Sequence, residues 1–176
     1  MQRSRKRFWI LLLLVFMACG PNAFSLEIKS SAFEDGGYIA AKYTCESVNI
    51  SPPLAWGGIP ENTKSFALIC DDPDAPFGTW VHWVIFNIPP TVMYLEENAV
   101  ARGKLPAGAK EGINDFQKIG YGGPCPPRGK PHRYFFKLYA LDTVLSLERG
   151  ATKKDLINAM QGHIIAQAQI VGLYKR

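Results

Sequence analysis

Three stretches of the chain carry apolar side chains at a density that only a sheet interior uses. Ser65–Asp71 is an almost continuous apolar run. Thr79–Ile88 is rich in Val, Ile, Trp and Phe and stops at Pro89-Pro90. Arg133–Leu141 alternates, with Tyr134, Phe136, Leu138 and Ala140 on one face and Phe135, Lys137 and Tyr139 on the other. β-branched and aromatic enrichment with a period of two predicts strands for all three. Tyr38–Tyr43 and Ala168–Tyr174 read as further strands, and Ser51-Pro52-Pro53 and Trp56-Gly57-Gly58 as irregular turns. One helix is signalled. Thr152 stands three residues before Asp155, a capping-box spacing, and Leu156, Ala159/Met160, Ile164 and Gln167 follow with helical periodicity. Residues 91–120 carry few strand-like runs and read as a long decorated connection with a short helical turn. The pattern predicts a mainly β domain with a late helix.

The first 25 residues stand apart. Arg3, Arg5, Lys6 and Arg7 precede the eleven-residue apolar run Phe8–Ala18, Gly20-Pro21 breaks it, and Ala23-Phe24-Ser25 places small residues where a signal peptidase reads. This is the form of a secretory signal peptide over 1–25. The run is too short to cross a hydrocarbon layer of roughly 30 Å at about 1.5 Å per residue. Ala18-Cys19-Gly20 also reads as a lipoprotein processing site, with Phe16 where Leu is usual, so a lipid anchor on Cys19 is the alternative. The expected location is periplasmic or secreted, or membrane-anchored through Cys19.

Removing the leader changes the charge argument. It holds four basic and no acidic residues, so the net charge of +5 becomes +1 for 26–176. That balance, without basic clusters interleaved with aromatics, points away from nucleic acid as a partner. The 151 residues from 26 to 176 suit one domain. Export permits disulfides. Of Cys45, Cys70 and Cys125, Cys70 ends an apolar run and reads as a buried strand residue, whereas Cys45 and Cys125 lie in loop-like sequence. A bridge between those two and a pair of free thiols both remain open, because distance is not readable from sequence.

The polar chemistry concentrates in two Pro-rich segments. Asp71-Asp72-Pro73-Asp74-Ala75-Pro76 leaves one apolar strand, and prolines restrict both their own φ and the residue before them, so these carboxylates are held. His82 sits between Trp80-Val81 and Trp83. Farther on, Tyr121-Gly122-Gly123-Pro124-Cys125-Pro126-Pro127 forms a stiff loop, and Pro131-His132-Arg133-Tyr134 opens the next strand. A histidine among large apolar groups requires a partner for its ring N–H, which an aspartate would supply. Glycines would let an oxyanion approach main-chain N–H groups. The set suits a small phosphate or carboxylate. His82, His132 and Asp72 are also thinkable zinc ligands, but no short ligand spacing supports them. Cys70 or Cys125 beside a histidine would be the nucleophile of a hydrolase, without any supporting motif context.

Taken together, Asp72-Pro73-Asp74-Ala75-Pro76, Val81-His82-Trp83, Asn87-Ile88-Pro89, Gly123-Pro124-Cys125-Pro126-Pro127 and His132-Arg133-Tyr134 resemble the phosphatidylethanolamine-binding protein family. The bacterial Raf-kinase-inhibitor-like branch is the nearest likeness, including Asn49-Ile50-Ser51-Pro52-Pro53-Leu54 and Trp56. The resemblance spans roughly residues 28–175. It implies an antiparallel β-sandwich with a C-terminal helix and short additional helical turns, and a surface anion pocket. By resemblance the pocket comprises Asp72, His82, Gly123, Pro124, Cys125, Pro126, His132 and Tyr134, with Asp74 and Tyr121 as supports. It further implies that Ala75–Pro76 is a candidate cis bond. The kinase-regulating role of cytosolic eukaryotic members does not carry over to an exported chain.

The expectation is an exported, non-enzymatic protein that binds a small anion or a phospholipid headgroup, without a cofactor or metal. The alternatives are a protein-interaction module that inhibits a protease or another envelope enzyme, and a hydrolase. Trp80, Trp83, Phe86 and Phe135 are candidates for a ligand mouth, although aromatics at strand spacing usually belong to a core.

Overall fold

The computed structural model describes residues 25–100 and 105–176; the leader read over 1–25 and the alternative at Cys19 lie outside the described residues, apart from Ser25. The strands are β1 (Glu27–Lys29), β2 (Leu54–Gly57), β3 (Ser65–Asp72), β4 (Trp80–Ile88), β5 (Tyr94–Leu95), β6 (Lys110–Glu111), β7 (His132–Leu141) and β8 (Ile164–Tyr174), with the helix α1 (Lys153–Met160) before the last. They form a five-stranded sheet in the order β6-β4-β3-β7-β8 and a three-stranded sheet in the order β1-β2-β5. Every pairing within the sheets is antiparallel.

The alternation of the central strands explains the layering. All eight residues of β3 are buried because both faces of the sheet are covered. Phe66, Leu68 and Cys70 face a core shared with Leu54, Trp56, Phe136 and Leu138, on the side of the small sheet. Ala67 and Ile69 face the other way, onto a second core with Phe86, Leu156 and Met160 from α1. Asp71 continues that second face. It is fully buried and ion-paired to Lys137 at 2.9 Å and Lys153 at 2.5 Å, which ties α1 to the sheet. Asp72, one residue on, belongs to the first face.

Two irregularities interrupt the pairing of β3 with β4. Cys70 pairs with Trp83 but Asp71 pairs with Val81, so one residue of β3 advances against two of β4 and His82 is the extra residue of a β-bulge. Val81 therefore packs in the second core while Trp83 packs in the first. A second bulge lies between the Phe66–Ile88 and Leu68–Ile85 pairs. Asn87 lies there with φ of 57°, its side chain bonded to the N–H and C=O of Leu145 at 2.8 and 2.9 Å.

Several expectations need correction. The capping box of Thr152 and Asp155 is present, but the helix ends at Met160. Gly162, with φ of 78°, turns the chain, and Ile164 and Gln167 enter β8 opposite Leu141 and Tyr139. Tyr38–Tyr43 is a single bridge from Tyr38 to Leu173 followed by a one-turn 3-10 helix at Ala41–Tyr43, because residues 36–39 run along the edge of β8 and then leave it. Trp56 and Gly57, read as the start of an irregular turn, belong to strand β2, and Trp56 packs edge-on against Phe66 with ring centroids 5.7 Å apart. The connection over 91–120 contains β5 and β6 and, among its described residues, no helical turn. The Ala75–Pro76 bond is trans.

Cys45 and Cys125 form a disulfide with Cα atoms 5.4 Å apart, closing 80 residues of sequence, and Cys70 is buried and free. Cross-linking so long a loop restricts the unfolded chain. Replacing both cysteines with serine should lower unfolding free energy by about 2–5 kcal/mol in urea titrations, and a reductant should destabilise the wild type but not the variant.

Candidate functional site

The core-facing column of β3 runs Phe66, Leu68, Cys70, Asp72, and that of β7 runs Phe136, Tyr134, His132. Both columns turn polar at the same end of the sheet, where the bulge of β4 adds His82. A cavity of about 270 Å³ opens there. Asp72, His82, His132 and Tyr134, all buried, form its floor, while Pro76, Phe77, Trp80, Phe116, Cys125 and Pro127 are among its walls and rim.

Each floor residue is held by a specific bond. His132 Nδ1 donates to Asp72 Oδ2 at 2.8 Å, and the amide of Asp74 donates to Asp72 Oδ1 at 2.8 Å. His82 Nδ1 donates to the carbonyl of Gly122 at 2.6 Å, and the amide of Gly122 donates back to the His82 carbonyl at 2.9 Å. Burial pushes the His82 imidazole below its ordinary value, against the opposing effect of the Gly122 bond, so the ring favours the neutral form. Tyr134 makes no such bond. Its hydroxyl is shut off from solvent and lies beside the Asp72 carboxylate without a well-formed hydrogen bond to it. Burial and then the Asp72 carboxylate push that phenol well above its ordinary value, so it remains a donor. A buried donor without a partner is rare enough to demand an explanation.

The rim is apolar. Phe77 is fully exposed between Pro76 and Gly78, whose φ is 107°. Phe116 stands on a tight turn in which Asn114 Oδ1 accepts from the amides of Phe116 and Lys118 at 3.0 and 3.1 Å. Its ring meets Trp80 and His82 edge-on at 5.4 Å each.

The expected residues divide into two groups. Asp72, His82, Cys125, Pro126, His132 and Tyr134 line the cavity. Asp74, Tyr121, Gly123 and Pro124 do not. Asp74 accepts from the Arg133 side chain at 2.7 and 2.9 Å and from its amide at 3.0 Å, fastening the loop after β3 to β7. Tyr121 donates to the Tyr43 carbonyl at 2.8 Å and packs on Trp83 at 5.5 Å. Pro124 accepts from the Cys45 amide at 3.1 Å. Gly123 is a packing glycine: a Cβ there would lie 2.3 Å from the Tyr43 carbonyl oxygen and 2.4 Å from Asn49 Oδ1. Its amide is taken by Asn49 at 2.8 Å, so the expected glycine amides are not available to an oxyanion.

Of the proposed mouth aromatics only Trp80 lines the cavity; Trp83 and Phe86 are core, and Phe135 lies under Arg133 and Lys137. Phe77 and Phe116 were not anticipated, although a phenylalanine between proline and glycine in an otherwise polar loop is a legible signal. Among the described residues, Asp72, His82 and His132 do not form a metal-ligating group. Cys125 is in the disulfide, and burial pushes the Cys70 thiol well up, so neither offers a thiolate.

The model of the phosphatidylethanolamine-binding protein family matches residues 29–175. A UPF0098 protein of Methanothermobacter thermautotrophicus is 58% identical over 151 residues, covering 86% of this chain and 99% of the relative. One from Aquifex aeolicus is 48% identical over 169 residues, covering 94% and 97%. Among solved structures, Escherichia coli YbcL, described as a member of the mammalian PEBP family, superposes with a TM-score of 0.82 at 39% identity, covering 86% of this chain and 99% of that one. A homologue of phosphatidylethanolamine-binding protein from Chlamydia trachomatis gives 0.79 at 43%, covering 87% and 99%.

Two outcomes are expected. Tyr134→Phe removes an unpaired buried hydroxyl and should leave unfolding free energy unchanged or raise it by about 1 kcal/mol, measured by denaturant titration. The Arg133 guanidinium lowers the Asp74 carboxyl to about 2, so its stabilising effect is complete above about pH 4 and is lost as pH falls through about 2. The stability difference between wild type and Asp74→Asn, no more than about 1 kcal/mol for so exposed a pair, should shrink as unfolding is followed from pH 5 to pH 2.

Proposed function

The chain belongs to the phosphatidylethanolamine-binding protein family, and on that premise we propose that it is an exported, non-enzymatic binding protein for a phosphate-like group, the headgroup of a phospholipid or its free counterpart. The observation that carries this reading is the Tyr134 hydroxyl, a buried donor left without a partner on the floor of the cavity. A tetrahedral oxyanion placed between His82, His132 and Tyr134 would complete it. The apolar rim of Phe77, Trp80 and Phe116 gives the non-polar continuation of a lipid or ester a surface to lie on. Export rests on the leader at 1–25.

The floor is arranged for holding. Asp72 orients the His132 ring as a carboxylate orients a catalytic base, but the Gly122 and Gly123 amides that would steady a developing oxyanion are engaged within the protein. The fully exposed Phe77 supports a second reading, in which the cavity anchors a phosphorylated or acidic side chain of a protein partner and the rim packs against its surroundings. Free phosphate would then compete with that partner in a pull-down from envelope extract.

Titration calorimetry with inorganic phosphate and O-phosphoethanolamine tests the main reading. The mature protein should bind both, and Tyr134→Phe should bind about 10–100-fold more weakly while remaining folded. Absence of binding in the wild type, or equal affinities in the two proteins, would exclude it.

A further inference from the structure

The five-stranded sheet closes its two edges unequally. At one edge β6 is only Lys110–Glu111, too short to offer a partner a ladder. At the other, β8 runs from Ile164 to Tyr174 and is covered over its second half alone. There the Gly36 amide donates to the Val171 carbonyl at 2.7 Å, and Asp35 Oδ1 accepts from the Val171 amide at 2.8 Å. Leu173 accepts from the Ile39 amide and donates to the Gly37 carbonyl, both at 2.8 Å. Those bonds fix which residues of β8 turn their main chain away from β7. Hydrogen-bonding direction alternates along an antiparallel strand, so Leu173 and Val171 are followed by Gln169 and Gln167. The outward N–H and C=O groups of Gln167 and Gln169 have no partner among the described residues.

Native sheets blunt such an edge with a lysine, a proline or a bulge. β8 carries no charged residue and no proline, and its bulge lies at Ile165, before the open pair. Ile164 and Ile165 are 43% and 39% exposed. A depression of about 480 Å³ beside the edge is lined by Lys137, Tyr139, Gln167, Ala168 and Gln169. The charged groups nearby are paired within the chain, Lys137 with Asp71 at 2.9 Å and His163 with Asp142 at 2.8 Å.

That charge pattern indicates the occupant. A strand that pairs with its own copy brings its side chains against the same set, so any charge on it meets its own sign. An uncharged strand meets no such repulsion. A two-fold axis normal to the sheet at Ala168 sets Gln167 of each copy against Gln169 of the other, in antiparallel pairing. The outward hydrogen bonds of both residues are then completed, the glutamine side chains meet on one face, and the small Ala168 side chains meet on the other. The bulge bends each strand at Ile165, where it would otherwise run into the copy's Asp35 and Gly36. We propose that this stretch of β8 is a self-association edge, through which two copies of the chain join their sheets into one continuous antiparallel sheet. The contact lies opposite Lys137 and Tyr139, along β7 from His132, so it does not involve the cavity.

Sedimentation equilibrium on the mature protein tests this. The weight-average mass should rise from the monomer value toward twice that value as concentration approaches about 200 µM. Gln167→Pro deletes an N–H that the sheet does not use, and proline is tolerated on an edge whose N–H faces outward, so this variant should fold and stay monomeric. Gln167→Lys combined with Gln169→Lys sets like charges across the contact and should also be monomeric, which keeps the test decisive where the proline variant does not fold. Amide exchange at Gln167 and Gln169 should slow in the wild type as the dimer fills. Neither variant alters a cavity residue, so the outcome leaves the binding reading as it stands. A wild type that remains monomeric at about 200 µM would overturn the proposal. A dimer of undiminished strength in either folded variant would overturn it as well, by placing the contact on another surface.

Discussion

The carboxylate of Asp72 is the constraint around which the site is built. A buried charge is tolerated only when polar partners surround it, and the partners of Asp72 come from two other parts of the chain. The amide of Asp74 begins the loop that carries Phe77, and His132 opens β7. Asp74 then fastens the same loop to Arg133. One buried acid thus sets the position of the rim, the orientation of an imidazole and the end of a strand pair.

Its neighbour shows what the alternative would have been. Asp71 and Asp72 are adjacent, and the strand sends them to opposite faces. Asp71 meets Lys137 and Lys153, is fully buried, and helps attach α1. Among the described residues Asp72 pairs with no lysine or arginine; its side-chain partner is His132, and the polarity at its face remains open to the cavity. The same dipeptide makes an ion cluster on one side of the sheet and part of the cavity floor on the other.

Three departures from local rules gather around that floor. The bulge at His82, the unpaired Tyr134 hydroxyl and the exposed Phe77 all lie within one cavity. Each costs stability or solubility in isolation. Their convergence is the pattern expected of a site shaped for a ligand. The surrounding loop is held from several directions, by the Cys45–Cys125 disulfide, the Tyr121 hydroxyl and the side chain of Asn49, so the cavity is pre-formed.

The amino-acid sequence by itself determined the frame. The apolar runs at Ser65–Asp71, Thr79–Ile88 and Arg133–Leu141 became β3, β4 and β7 because side-chain alternation and β-branched content act locally. Thr152 and Asp155 capped the helix for the same reason. The polar set Asp72, His82, His132 and Tyr134 was legible as chemistry out of place among apolar neighbours. Only the tertiary structure decided how those groups are used. Ile164 and Gln167 fit a helical period, yet pairing with β7 drew them into a strand. Nothing local marks His82 as the extra residue of a bulge, since a bulge exists only relative to the partner strand. The hydrogens of the two imidazoles are likewise assigned by a carbonyl 40 residues away and a carboxylate 60 residues away. Periodicity is a property of a segment, whereas the free face of a ring depends on what folding brings against its other side.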